Sequence, residues 1–315
     1  MKLLALLLLI VPAAAIAQPP PTDAAATTLV FAPPTGRKLR YELTQFRESQ
    51  IHGGKAGKVR VTLVREVEFT PVADGYSMTM TRVDATTSLT GKEAEGYRIS
   101  MAAMANLVVR YHLDRAGHVL AVDNIDQIWA ALPRARDGQL LASAGDANRR
   151  AQIERIFAAL IALPPAARER MQRDDAERLL AFAGAQPKPA APVTETRESP
   201  SPFGGTIPVT VTSNWVAVDP EFAEYRAVTR SGGAALRQRI SQIARDLAAT
   251  AKPSERAQLE RDLAAMSSLS FEETVDYRVS RAWGVLVSSH SVKRVMSDKG
   301  EQIVEEIRRF GDWVS

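Results

Sequence analysis

The residues best suited to chemistry in this 315-residue chain are few: four histidines (His52, His112, His118 and His290), the carboxylate Glu273, and a Ser288-Ser289-His290-Ser291 run. A metal centre needs three or four ligands converging within about 2 Å of one point. Only His112 and His118 are certain neighbours, flanking an Asp114-Arg115-Ala116-Gly117 turn, and ordinary turn and surface histidines are the favoured reading. Neither a metal nor another cofactor is expected. Glu273 is in phase with Phe271, Val275, Tyr277 and Val279 on a period-two run and so points toward the apolar face. Buried without a partner it would stay protonated and could act as an acid; at the strand's rim, paired with an Arg, it is ordinary, and that reading is favoured. Adjacent strand residues point to opposite faces, so Ser289 and His290 form no direct nucleophile and base pair, although Ser288 and His290 share a face. The sequence holds no phosphate-cradling Gly loop, nucleophile elbow, His-Glu-x-x-His pair or dinucleotide fingerprint. A hydrolase is therefore the least favoured of three functional readings.

Composition narrows the setting. Residues 1 to 17 read as a secretory signal: Met1-Lys2 is the positive end, Leu3 to Val11 is apolar, and Ala15-Ile16-Ala17 offers small residues before Gln18. The apolar stretch is about half of the ~20 residues that span a bilayer, and no Cys follows it for lipid attachment. A soluble protein of the periplasm or the exterior is expected. The chain has no cysteine at all, so disulfide and thiolate chemistry are excluded and folding rests on burial. The net charge is +4, with Arg spread among Asp and Glu. Such a mixed surface lacks the concentrated basic face of a nucleic-acid binder.

The elements that must position these side chains are mostly strands. Residues 18 to 36 are Pro- and Ala-rich and are expected to be a flexible leader, ahead of one β-rich domain over 37 to 315. Leu39 to Phe46, Val59 to Phe69 and Tyr76 to Val83 alternate at period two and predict a meander joined at His52 to Gly57 and Ala73-Asp74-Gly75. Leu107 to Leu113 and His118 to Val122 flank the Asp114 to Gly117 turn, whose final Gly suits a bulged type I turn. Helical spacing then predicts an insertion at about 123 to 182: a first helix ended by Pro133, a second from Asp146, and a third opened by Pro164-Pro165. Residues 184 to 205, with five prolines, read as a linker without regular structure. Strands resume over Thr206 to Val218 and Tyr225 to Thr229, followed by an Ala-rich helical insertion at 233 to 266. The end returns to strands at Phe271 to Val279 and Val285 to Met296. Ile303 to Phe310 has apolar spacing suited to a helix, but its place in a meander favours a strand.

From Leu39 onward the chain resembles uncharacterised secreted proteobacterial β-rich proteins. The resemblance rests on the signal, the Tyr-bearing first hairpin, the strand-Asp-x-x-Gly-strand element at Leu113 to Val119, and the Trp-containing strand Pro208 to Trp215 after a Pro-rich break. It brings no catalytic motif. In architecture the expected fold is α+β: a curved, mostly antiparallel sheet of about ten strands, half-barrel-like, with helical insertions covering one face. That layout is similar to periplasmic lipoprotein-carrier and lipid-binding half-barrels. A sheet that curls without closing must have one face covered, and an incompletely covered face is an apolar cavity. Tyr41, Leu43, Leu63, Met78, Met80, Tyr111, Glu273, Tyr277 and Val279 are the candidate ligand-lining residues, each doubling as a candidate for plain core. A lipid or other apolar envelope ligand is the first expected partner. An envelope protein engaged through 233 to 266 is the second.

Overall fold

A computed structural model describes residues 28–51, 57–105, 107–143, 145–200, 206–232, 236, 238, 241–242, 270–297 and 300–311. The expected signal at 1 to 17, the first part of the leader and nearly all of the helical insertion at 233 to 266 lie outside the described residues.

Two antiparallel meanders meet at the two ends of the chain. The first comprises β1 (Lys38–Ile51), β2 (Gly57–Val72), β3 (Gly75–Thr87), β4 (Val108–Asp114) and β5 (Val119–Val122). The second comprises β6 (Val193–Pro200), β7 (Thr206–Val218), β8 (Phe222–Ser231), β9 (Ser270–Ser280), β10 (Leu286–Ser297) and β11 (Gly300–Phe310). Pairing of β1 with β11 fuses them into one curved, open sheet in the order β5-β4-β3-β2-β1-β11-β10-β9-β8-β7-β6. Among the described residues it is accompanied by α1 (Gly91–Ala103), α2 (Ile125–Ala142), α3 (Ala147–Ile161) and α4 (Pro165–Leu180). Because β5 and β6 are opposite edges, the chain from α2 to α4 travels from one edge to the other. On its way it packs Ile128, Trp129, Leu179 and Leu180 onto the inner face.

The inner face is apolar where those helices lie. Tyr41, Phe69, Met78, Tyr111 and Leu113 from the first meander meet Trp215, Tyr225, Val279 and Phe310 from the second in one core. Phe182, just beyond α4, sits edge-on to Trp215 at 5.6 Å and Tyr225 at 5.5 Å and within 5.2 Å of Tyr277. Such edge contacts suit the positive rim and negative face of aromatic rings.

Three local expectations are revised, one helix is added and one strand is met. The later part of the leader is docked: Leu29 and Phe31 are buried in the core, and Leu29 exchanges backbone hydrogen bonds with Gly184 and Ala185. A short apolar pair was enough to anchor a Pro-rich segment because two glycines make room for it. Gly117 (φ 89°) lets the Phe31 ring approach to 2.7 Å of where a Cβ would stand, and Gly284 (φ 65°) lets the Val30 carbonyl approach to 2.5 Å. Pro133 does not end α2, which runs on to Ala142. The lost backbone hydrogen bond is outweighed by anchors on both sides, Ile128 and Trp129 before it and Ala135 after it, all buried. Part of the Pro-rich 184 to 205 segment is a strand, β6; its prolines fall at or beyond the ends of an edge strand, where no ladder donor is lost. The α1 helix has no apolar stripe that periodicity could reveal. Ile303 to Phe310 is a strand, as its place in the meander suggested, with Ile303 and Ile307 on the outer face and Val304 and Phe310 on the inner.

Docking of residues 28 to 32 is therefore part of the fold. Phe31→Ala should lower the free energy of unfolding by about 3 kcal/mol and Gly284→Ala by about 1–3 kcal/mol. Val30→Ala, at a side chain 65% exposed, should stay within about 0.5 kcal/mol. Urea unfolding followed by circular dichroism measures all three.

Candidate functional site

The centre of the inner face is polar, and strand register explains how it is built. On β10 the inward residues are Ser289, Ser291, Lys293 and Val295, while Ser288, His290, Val292 and Arg294 face out. On β11 the inward residues are Val304, Glu306, Arg308 and Phe310. Reading across the strands, Leu63 lies opposite Leu43, Leu43 opposite Arg308, Arg308 opposite Ser289, and Ser289 opposite Tyr277. The next inward position of β10, Ser291, is flanked by Glu306 and Val275, and Lys293 by Val304 and Glu273. A polar stripe thus runs down β10 and β11.

Helix α4 closes over this stripe with charges of its own. Asp175 accepts from Arg65 Nη1 at 2.6 Å, and Arg65 stands directly opposite Arg82 on β3, beyond a register irregularity at Val64/Arg65. Two like charges side by side on a sheet repel; the helix carboxylate offsets that. Burial pushes the Asp175 carboxyl up, but Arg65, Arg308 and Arg178 outweigh it and hold it at about 2. Tyr111 Oη donates to the Gln172 carbonyl at 3.0 Å and Arg173 to the Val119 carbonyl, so α4 is tied to β4 and β5 as well. Arg178, three residues beyond Asp175, pairs with Asp174 at 3.0 Å and forms the helix side of a cleft. The sheet side is Glu273, Tyr277, Ser289, Ser291 and Arg308. The free space is about 10 Å³, the room of one water molecule.

Inside the cleft, Ser291 Oγ donates to Glu273 Oε1 at 3.1 Å. Arg308 Nη2 donates to both Glu306 oxygens, at 3.1 and 3.3 Å. Ser289 Oγ and Arg308 Nε are buried and have no hydrogen-bond partner. Lys293 is 8% exposed and lies 5.3 Å from the centre of the Phe271 ring. Burial lowers its affinity for a proton, and Glu273 restores only part of it. The Tyr277 hydroxyl is pushed well above its ordinary range by burial and then by the Glu273 charge. The cleft offers several donors to an acceptor oxygen, and among the described residues no imidazole lines it beside its serines.

The lining residues expected from sequence separate into three groups. Tyr41, Met78, Met80, Tyr111 and Val279 are packed in the core. Leu43 and Leu63 face inward but are only half-buried. Glu273 and Tyr277 reach the cleft, and Glu273 is 4% exposed, deeper than a rim position. His290 points outward to Glu305 at 2.8 Å, which separates it from Ser289 and Ser291. His112 bonds Asp74 at 3.1 Å and His118 bonds Asp114 at 2.8 Å; among the described residues no three His, Asp or Glu side chains gather as a metal site. His52 lies outside the described residues. Sequence reasoning weighed Ser289 and Ser291 only as neighbours of His290 and passed over Lys293, Arg308 and Arg178. The available signal was that Ser289, Ser291 and Lys293 are in phase with Val295, and Arg308 with Phe310.

No protein-family model matches the chain, and no curated protein matches it. Among solved structures, one described as lipid-protein interactions in lipovitellin aligns over 89% of this chain at 12% identity with a TM-score of 0.41. The present chain spans 25% of that chain's length.

The Arg65–Asp175 pair has a calculable acid dependence. Asp175 is held at about 2 against an ordinary 3.8, so its contribution is complete above pH 4 and is lost as pH falls toward 2. The side chain is 29% exposed, and the linkage is worth about 2 kcal/mol. Asp175→Asn should destabilise the protein by about 2–4 kcal/mol at pH 7. The gap from the parent should narrow between pH 4 and 2, measured by urea unfolding at each pH.

Proposed function

We propose that the protein is exported and uses the inner face of its open sheet to hold an apolar or amphiphilic envelope ligand. The observation that carries this reading is the half-buried set Leu43, Leu63, Val59, Val61 and Val304, interleaved with Gln45 and Arg47. It faces the same side as the core. Apolar side chains left in an inward-facing trough are what a hydrocarbon chain would cover, at about 25 cal/mol per Å² removed from water. The buried polar stripe beside them would fix the ligand's orientation, as a few placed polar groups do in apolar sites. No helix among the described residues is long and apolar enough to cross a membrane.

A second reading, a periplasmic interaction scaffold, draws support from the tight filling of the core around Phe182. The helical segment expected to face a partner begins with Leu236, which is buried, so that part of it is packed against its own chain. For that reason the trough is the stronger basis.

Two measurements bear on the proposal. Expressed with its own leader in a Gram-negative host, the protein should be recovered from the periplasm with an N-terminus near Gln18, read by intact mass. Organic extracts of the purified protein should contain an amphiphile, and a fluorescent fatty acid should bind saturably. Leu63→Glu should weaken that binding by about tenfold or more while the thermal midpoint is nearly unchanged. Absence of both extracted amphiphile and saturable binding would leave the scaffold reading.

A further inference from the structure

Several buried polar atoms of the described residues lack a hydrogen-bond partner, Tyr41 Oη, Arg82 Nε and Trp215 Nε1 among them, but two of them, on Ser289 (Oγ) and Arg308 (Nε), belong to side chains that line one cleft. Both belong to side chains over nine-tenths buried, 3% and 6% exposed, both line the cleft under α4, and neither atom has a hydrogen-bond partner. Buried polar groups are almost always paired, and an unmet donor on a guanidinium is among the costlier exceptions. We propose that the cleft receives one oxygen of an oxyacid headgroup, a carboxylate or phosphate monoester, from an amphiphile whose chain lies over Leu43 and Leu63. This rests on the amphiphile-binding reading above and names the ligand's polar end.

Three observations select an anion. Two guanidinium groups from different elements, Arg178 on α4 and Arg308 on β11, face the same space, and guanidinium binds oxyacid oxygens through strong charge-assisted hydrogen bonds. The carboxylate in the cleft wall, Glu273, already accepts from Ser291. The register places the donors in line with the trough, since Leu63, Leu43, Arg308 and Ser289 follow one another across neighbouring strands. The cleft's one-water volume fits a single inserted oxygen while the rest of the headgroup stays at the mouth. Arg178, reaching in from the helix, closes on it from the other side.

The test is calorimetric titration of the purified protein with dodecanoate, dodecyl phosphate and dodecanol, each below its aggregation limit, and with acetate and inorganic phosphate. An oxyacid should bind about tenfold or more tighter than dodecanol. Ser289→Ala and Arg308→Gln should each cut that preference to below about threefold and leave dodecanol affinity unchanged. Ser289→Ala removes one unpaired hydroxyl, so it keeps the test decisive if Arg308→Gln fails to fold. Dodecanol binding as tightly as the oxyacids, or a preference that survives both substitutions, overturns the headgroup assignment and leaves the trough reading intact. Binding of acetate or phosphate with no gain from a chain supports the anion site and overturns the amphiphile. No binding by any of the five overturns both.

Discussion

Antiparallel pairing of β1 with β11, from Tyr41 opposite Phe310 to Ile51 opposite Gly300, is the contact through which the rest of the molecule is organised. Without it there are two meanders, of five and six strands, each with an exposed edge where the other now pairs. With it, strands from opposite ends of the described chain become the middle of one sheet, and β5 and β6 become its outer edges. The connection from β5 to β6 then has to cross the sheet. That crossing is what lays α4 over the inner face and drives Leu179, Leu180 and Phe182 into the core. Closing so long a loop carries an entropic cost that only the contacts of the seam repay.

The same seam explains why the polar stripe is where it is. Arg308 and Glu306 sit on β11, Ser289, Ser291 and Lys293 on β10, and their inward direction is fixed by the ladders on both sides. Burial of these groups is not a route to stability. Replacing buried ion pairs by apolar residues of similar volume is often neutral or favourable. A polar stripe in that position, with two of its donors unmatched, is consistent with the headgroup proposal.

Much of this fold was legible from residue order because alternation is a strong signal where one face is wet. The runs Leu39 to Phe46, Val59 to Phe69 and Phe271 to Val279 carried it. It failed where both faces have the same character: β10 has serines and a basic residue on each side, so Ser289 and Ser291 looked no more inward than Ser288 and His290. It failed too where tertiary contacts override local preference, as at Pro133, whose helix continues between buried anchors, and at Leu29 and Phe31, whose anchoring depends on space beside Gly117 and Gly284. Glu273 was correctly placed on the apolar face, but its depth and its bond to Ser291 depend on β10, which periodicity within β9 does not reveal. Arg178 and Asp175 were hidden for another reason. Their meaning lies in which strands α4 crosses, and only the sheet order supplies that.

Those two residues tie the argument together. Asp175 and Arg178 are three positions apart and so share a helix face, yet they serve opposite sides of the seam. Asp175 pairs with Arg65 on β2 of the first meander, and Arg178 closes a cleft whose other walls are β9, β10 and β11 of the second. The helix is thus fastened to one half of the sheet and presents a cation to the other. Anything that brings negative charge into the cleft engages Arg178 and Arg308 together, one from the helix and one from the seam strand. Such a ligand would add a link between helix and seam at a point where two buried donors are unmatched.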